Sequence, residues 1–333
     1  MSFKGVIDTT FRDGQQSPLM FDSYKYRFTV ENKKALIYGL IQLGVRNFEF
    51  FAPNVNKSEA HDFIRIKKYV ASIGIPGIRF FAHCRCHQKD IEEAIKAGFD
   101  GLNLYIGVTE YAQRYSHGMK FEEVITNVKK IIESARKSYP HIYLRFSAED
   151  SFRTPLEDMF RMYDKVHQLV NTFGMPDTVG IATPTIVAER IKALKERYPK
   201  VDLECHFHND RGLSLINAIT AVQSGASYID TSIWGMAERS GITSVTGLLL
   251  NLYYEDKSLC KDYNLKICYP LNVLMGSILK LQVSPTEPTS ITNRTHTAGV
   301  HQKAVLNNSY VYEAHDLKNF GVDKKQLFLR RVD

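Results

Sequence analysis

The sequence lacks several features that would assign it to a special class of protein. None of its apolar runs approaches the roughly 20 residues of a membrane-spanning helix. No apolar segment with a cleavage site opens the chain. The five cysteines, an odd number dispersed along 333 residues, argue against a disulfide scaffold. These absences predict a cytoplasmic protein in a reducing compartment, without contact to a membrane.

The net charge of +7 is not gathered into basic blocks. Basic residues such as Arg65, Lys67 and Lys68 are scattered among acidic ones along helical stretches, and the sequence has no basic block with interleaved aromatic residues. This distribution is typical of a solvated helix face and not of a nucleic-acid-binding surface. We therefore expect anionic metabolites, and no nucleic acid, as binding partners.

Short β-rich runs alternate regularly with longer amphipathic runs. Several amphipathic runs end in glycine, at Gly44, Gly98 and Gly225, which is typical of a helix C-terminal cap. Eight strand–helix units predict an α/β fold, a closed (β/α)8 TIM barrel. An open doubly wound sheet is the alternative, although no G-x-G-x-x-G motif opens a helix. The predicted strands are residues 6–8, 47–50, 78–81, 101–104, 142–146, 178–181, 203–206 and 228–231. The predicted helices include residues 32–43, 121–138, 156–173, 187–197 and 213–224.

The alternation stops after Tyr253, and the remaining chain has a different character. We predict a catalytic barrel in residues 1–255 and a linker with a mainly helical subdomain in residues 256–333. A helical pattern at residues 271–281 is followed by two prolines, Pro285 and Pro288, which mark a connector. The tail that follows, residues 293–333, is too short for a core of its own. We expect it to pack on the barrel or on a partner subunit.

Two segments far apart in the sequence carry potential metal ligands: Asp13, and His206 with His208. Residues i and i+2 of a strand point to one face, so both imidazoles can act together. If the strand ends meet, these three side chains can hold Mn, Mg, Co or Zn. Alternatively, Asp13 caps a helix and the H-x-H spacing arises by chance. Active sites of TIM barrels lie at the C-terminal ends of the strands. The polar residues at predicted strand ends are Arg12, Asp13, Glu49, His83, Arg145, Ser147, Glu149, His206, His208 and Asn209.

Seven ordered segments give the chain a family resemblance: residues 8–16, 84–87, 115–118, 144–153, 203–210, 237–243 and 295–301. With these segments the chain resembles the acetyl-CoA-dependent branch of the DRE-TIM metallolyase superfamily, and among its members the homocitrate synthases. The 2-isopropylmalate and Re-type citrate synthases are near relatives. The resemblance extends from about residue 5 to residue 322.

The resemblance implies a metal-dependent acyltransferase that condenses acetyl-CoA with a dicarboxylic 2-oxo acid. The favoured acid is 2-oxoglutarate, giving homocitrate in lysine biosynthesis. The resemblance implies a divalent metal on Asp13, His206 and His208, which polarises the keto group. It implies catalytic roles for Arg12, Glu149 and His301. His301 is expected to reach into the barrel of a second subunit, so a homodimer is expected.

The implied substrate-binding residues are Gln16, Glu49, His83, Arg145, Ser147, Asn103, Arg114 and Thr183. Of these, His83, Arg145 and Ser147 match the set that receives the distal carboxylate in homocitrate synthases. A branched-chain oxo acid would require an apolar pocket there, because a buried cation without a partner is costly. Alternatively, His83 and Arg145 belong to a structural ion-pair network with Glu149.

The chain departs from the family pattern at four places. Asn103 stands where the family has an acid–base Asp, and Gln113 replaces an Arg, for which the adjacent Arg114 could substitute. The family's Asp-Thr pair after the sixth strand is read as Thr183-Pro184. The tail position at which the family usually has a catalytic Tyr falls near Lys325 in this chain. No long regulatory domain is expected after it.

These departures leave alternative functions open. A divergent relative would use another oxo acid or acyl-CoA, as 2-isopropylmalate and Re-citrate synthases do. A metal-dependent aldolase or lyase is a further alternative, but residues 233–243 lack the Cys of hydroxymethylglutaryl-CoA lyases. A non-catalytic 2-oxo acid sensor is the third.

Overall fold

The fold is a closed barrel of eight parallel strands, described by a computed structural model for residues 3–20, 28–55, 57–313 and 315–327. The strands follow one another around the barrel in sequence order, and β1 closes it against β8, with Gly5 opposite Tyr228. The predicted TIM barrel is therefore confirmed. The strands are β1 Gly5–Asp8, β2 Asn47–Phe51, β3 Arg79–Arg85, β4 Gly101–Gly107, β5 Tyr143–Glu149, β6 Thr172–Asp177, β7 Asp202–Phe207 and β8 Tyr228–Thr231.

Helices cover the outside of the barrel and continue into a mainly helical C-terminal part, as predicted. The helices are α1 Val30–Leu43, α2 Lys57–Ile73, α3 Gln88–Ala97, α4 Glu110–Ala112, α5 Phe121–Ser138, α6 Leu156–Tyr163, α7 Pro184–Arg197, α8 Ser214–Ser224, α9 Val245–Glu255, α10 Cys268–Leu279 and α11 Gly299–Asn307. A two-stranded sheet of β9 Thr295–His296 and β10 Gln326–Leu327 ties the tail together. The division at residue 255 stays a prediction.

Local sequence signals explain where the helices begin and end. Thr29 and Asn32 form a capping box at the start of α1, each side chain accepting a hydrogen bond from the other's backbone at 3.1 Å. The three predicted glycine caps all adopt positive φ, for example 116° at Gly44. A side chain there would approach the carbonyl oxygen of Asp262 to 2.5 Å, so Gly44 also permits close packing.

The apolar core lies between the strands and the helices, whereas polar residues fill the barrel interior. In β2, Phe48 and Phe50 are buried among helix residues such as Phe63, while Glu49 between them is also buried. Alternate residues of a strand point to opposite faces, so Glu49 points into the barrel. The same period of two in β7 turns Glu204 and His206 inward. The interior of the barrel thus carries charge.

The sixth strand differs from its prediction. Residues 178–181 are a loop, and the strand is Thr172–Asp177; the predicted helix 156–173 ends at Tyr163. Phe173, which the predicted helix included, belongs to β6 and stacks on Tyr163 of α6 at 3.9 Å. The Asp177 carboxylate accepts hydrogen bonds from the backbone of Ile181 and Ala182 at 3.0 Å, which closes the loop.

Candidate functional site

A cavity of about 280 Å³ opens at the C-terminal ends of the barrel strands. It brings together ten of the predicted site residues: Arg12, Asp13, Gln16, His83, Asn103, Arg145, Ser147, Glu149, His206 and His208. Glu49 is fully buried beneath them and is bonded to several. Three predicted site residues, Arg114, Thr183 and His301, are not part of this lining.

The predicted metal ligands form one buried cluster. Asp13 follows β1, His206 lies in β7 and His208 follows it; one ligand atom from each lies within 4.8 Å of the other two. Nε2 of His206 is 3.2 Å from Oδ2 of Asp13 and 3.2 Å from Nε2 of His208.

The chemistry of this donor set fits a divalent cation. Nδ1 of His206 lies 3.2 Å from Oδ2 of Asp230, and a carboxylate can only accept, so Nδ1 carries the proton. This leaves the Nε2 lone pair for a metal, as in many carboxylate–histidine–metal sites. Two imidazole nitrogens facing each other at 3.2 Å also need a proton or a cation between them.

Without a metal, the cluster holds a proton on His206. Burial by itself lowers the pKa of His206, but hydrogen bonds to Asp13 and Asp230 raise it to about 9. Burial, and then the charge on His206, lowers the pKa of His208 to about 3. At neutral pH a metal must therefore displace a proton from His206.

Beside the cluster, Arg12 and Arg145 neutralise the buried carboxylate of Glu49. Nε of Arg12 donates to Oε1 of Glu49 at 2.9 Å, and Arg145 pairs with Oε2. Burial by itself raises the pKa of Glu49, but Arg145 and Arg12 hold it well below its usual value. Glu49 is therefore ionised and acts as an acceptor.

Arg145 is shared among three carboxylates at the floor of the cavity. Its Nη1 lies 3.2 Å from Oδ1 of Asp230 and 3.3 Å from Oε2 of Glu204, while Nη2 contacts Glu49. Burial raises the pKa of Glu204 well above its usual value; Arg145 opposes this effect and Asp230 adds to it. The ion-pair network considered from the sequence is present, but its partners are these carboxylates and not Glu149.

Glu149, the last residue of β5, lines the cavity, and its carboxylate has no hydrogen bond or ion pair to a side chain in the described ranges. Burial, followed by the nearby carboxylates of Asp150 and Glu238, raises its pKa above the usual value. A carboxyl group in a cavity whose pKa is raised holds its proton to a higher pH than an exposed one, which suits it to proton transfer.

The departure read after strand six is wrong, because the strand itself was misplaced. β6 ends at Asp177, so an Asp-Thr pair, Asp177-Thr178, does stand at the end of the sixth strand. Thr178 lines the cavity, and its Oγ1 accepts from the backbone N of Asp150 at 2.9 Å. Thr183 instead caps α7, accepting from Ile186 N at 3.5 Å.

Two further predicted site residues lie away from the cavity of their own chain. Arg114 is exposed and sits 5.2 Å over the ring of Tyr115. His301 is exposed on α11 and stacks on Tyr312 at 4.0 Å. Their predicted roles stay predictions.

Among the polar cavity residues that sequence reasoning missed are Glu204, Asp230 and Thr178. A signal existed for the first, because Glu204 precedes His206 by two and shares its face of the strand. Asp230 lay inside a correctly predicted strand.

Two family models match successive parts of the chain. The family model described as HMGL-like matches residues 5–271, so the chain belongs to this class of TIM-barrel proteins. The model described as homocitrate synthase post-HMGL domain-like matches residues 289–333. The mitochondrial homocitrate synthase of Schizosaccharomyces pombe is 34% identical over 96% of this chain and 74% of its own length. The chain is a member of the homocitrate synthase family, as predicted.

Other relatives agree with this membership. The cytosolic homocitrate synthase isozyme of Saccharomyces cerevisiae is 34% identical over 98% of this chain and 74% of its own. A probable 2-isopropylmalate synthase of Ignicoccus hospitalis is more distant, at 28% over 92% of this chain and 74% of its own. Because these homocitrate synthases include cytosolic and mitochondrial enzymes, the cytoplasmic location stays a prediction.

The solved structure of an HMG-CoA lyase from Bacillus subtilis shares the fold, with a TM-score of 0.70 at 20% identity over 85% of this chain and 96% of its own.

In the part of the chain that the structure describes, no helix has both the length and the apolar character needed to cross a bilayer.

Proposed function

We propose that this protein condenses acetyl-CoA with a dicarboxylic 2-oxo acid, with 2-oxoglutarate the favoured acceptor and homocitrate the product. The observation that carries the proposal is the buried cluster of Asp13, His206 and His208, which opens onto a cavity rich in polar groups. The homocitrate synthase relatives support the same reaction.

In this proposal, Asp13, His206 and His208 hold a divalent cation of the Mn, Mg, Co or Zn group. The bound cation supplies Lewis-acid polarisation of a carbonyl group. Arg12, whose Nη1 is 3.2 Å from Oδ2 of Asp13, supplies a fixed positive charge beside the oxygen on which negative charge develops. Gln16, at the cavity wall, helps to orient the oxo acid.

The condensation also needs a proton to leave the methyl carbon of the acetyl group. We assign proton transfer to Glu149, whose pKa is raised by burial, and to His301 of a second copy of the chain. A homodimer is part of the proposal, and α11 supports it by exposing apolar side chains: Val300 is 82% exposed and Leu306 66%.

The distal carboxylate of the acceptor is proposed to lie near His83, Asn103 and Ser147, on the wall formed by β3, β4 and β5. Arg145, paired with three carboxylates, contributes charge balance to this wall. Arg114 and Thr183 remain outside this arrangement. The assigned place in metabolism is lysine biosynthesis in the cytoplasm.

The test is release of free CoA from acetyl-CoA with Mn²⁺ or Mg²⁺ and a panel of acceptors: 2-oxoglutarate, oxaloacetate, 2-oxoisovalerate and pyruvate. We expect release with 2-oxoglutarate, lowered by more than ~100-fold in His208→Ala. His61→Ala, an exposed histidine of α2, is the matched control and should keep its activity. No release with any acceptor from folded, metal-loaded protein would refute the proposal, and so would an active His208→Ala variant.

A further inference from the structure

The side-chain amide of Asn103 makes three contacts that fix its orientation. Its Nδ2 lies 2.9 Å from Oε2 of Glu49 and 2.9 Å from Nδ1 of His83, and its Oδ1 accepts from Oγ of Ser147 at 2.9 Å. Glu49 is an ionised carboxylate and can only accept, so the amide nitrogen must face it. The oxygen then faces the hydroxyl of Ser147, which donates.

This orientation determines which ring nitrogen of His83 carries the proton. An amide nitrogen donates two hydrogens and offers no lone pair. One hydrogen goes to Glu49, so the other goes to Nδ1 of His83, which must be unprotonated. The proton of a neutral His83 therefore sits on Nε2.

The surroundings of His83 favour the neutral ring. The charged groups that face it are Glu49 from β2, Arg12 after β1 and Arg145 from β5, and the phenol of Tyr105 stacks on the ring at 4.2 Å. Burial, and then the positive charge of Arg12, lowers the pKa of His83 below its usual value, although Glu49 opposes this. Oε1 of Glu49 is 3.4 Å from Nδ1, a longer contact than the one from Asn103.

Within the described ranges no protein group bonds to Nε2 of His83, and the residue lines the cavity. We propose that Asn103 is a positioning residue that fixes His83 as a neutral Nε2–H donor for an acceptor oxygen of the oxo acid. This inference rests on the proposed function for its substrate. The inference also gives a role to Asn103, which stands where the family has an Asp. A carboxylate at position 103 could only accept, so it would require a proton on Nδ1 of His83.

The first test reads the tautomer directly, in protein labelled with ¹⁵N in the histidine rings. Two-bond ¹H–¹⁵N correlation spectra distinguish protonated from unprotonated ring nitrogens, and the His83→Gln spectrum identifies the His83 signals. We expect an unprotonated Nδ1 and a protonated Nε2 at about pH 8. If His83→Gln does not fold, Asn103→Asp identifies the same signals. A protonated Nδ1 in the unaltered protein overturns the inference.

The variants separate positioning from packing. Asn103→Asp should move the proton to Nδ1, and the KM for the oxo acid should become dependent on pH while the KM for acetyl-CoA does not. At pH 8 kcat/KM for the oxo acid should fall roughly tenfold or more, as expected when a donor is lost. Ser147→Ala leaves both amide donations in place, so the tautomer should not change. An Asn103→Asp protein with the original tautomer and a flat pH profile contradicts the inference.

The two proposals fail separately. The spectra require no turnover, so the expected tautomer in a protein that releases no CoA overturns only the proposed function. An active enzyme with the proton on Nδ1 overturns only the role of Asn103.

Discussion

Replacing Arg145 by Met tests whether one guanidinium stabilises the floor of the barrel. Arg145 is 3% exposed and contacts Glu49, Glu204 and Asp230. Met keeps much of the side-chain volume but leaves these buried carboxylates without their shared cation. Removing one partner of a buried ion pair costs about 3–5 kcal/mol, and we expect a loss of unfolding free energy in this range at pH 8.

The loss should depend on pH in a defined direction. Without Arg145, the folded-state pKa of the carboxylates rises above the unfolded value, so the folded state binds more protons. Stability in the variant is then lost as pH rises through the folded pKa and regained as pH falls. The pKa of Glu204 is already well above its usual value. The penalty should therefore be smaller at about pH 5.5 than at about pH 8.

Urea unfolding followed by circular dichroism at both pH values measures the effect. Arg161→Met is the matched control, because Arg161 is exposed and pairs with Asp158 at the surface. Its unfolding midpoint should hardly change. If Arg145→Met loses no more stability than this control, or loses as much at pH 5.5 as at pH 8, the assigned role of Arg145 is wrong.

Two further predictions concern the metal cluster and the packing of the floor. Because the pKa of His206 is about 9 without metal, Mn²⁺ binding at pH 7 should release about one proton, and affinity should rise about tenfold per pH unit toward pH 9. Calorimetry in buffers of different ionisation enthalpy measures this, and an apparent enthalpy that is the same in all buffers would contradict it. Gly174→Ala should cost about 1–3 kcal/mol in urea unfolding, because its Cβ would overlap Oγ of Ser147 and approach Oε2 of Glu204 to 2.9 Å. Gly299→Ala, with no atom within 4 Å of the added carbon, is the control, and equal losses in both variants would refute the packing argument.

The fold was largely predictable because its signals are local. Alternating strand and helix patterns and the glycine caps at Gly44, Gly98 and Gly225 depend on neighbours in sequence. The sixth strand was missed because its apolar residues fit the helix period of the segment before it. The Asp-Thr pair was consequently sought six residues too late, at Thr183 instead of Asp177.

The site was predictable where the spacing of neighbouring residues sufficed, as for His206 at the end of β7 and His208 just after it. The contacts of Arg145 with Glu49, Glu204 and Asp230 could not be predicted from the sequence. They depend on which residues of β2, β5, β7 and β8 lie at the same level of the closed barrel. The proton on His83 likewise depends on Asn103, a residue from a neighbouring strand. A motif within one segment of the sequence carries no information about such bonds between strands.

The charged floor has a consequence for changing the acceptor of this enzyme. An apolar oxo acid would require an uncharged pocket, yet removing Arg145 alone leaves Glu49 with Arg12 as its remaining cation and Asp230 with His206. Either all partners are exchanged together or none is. Single substitutions can therefore change the specificity for the acceptor only at the rim of the cavity, at loop positions such as Thr178 and Glu238. The charged residues of the floor must change together.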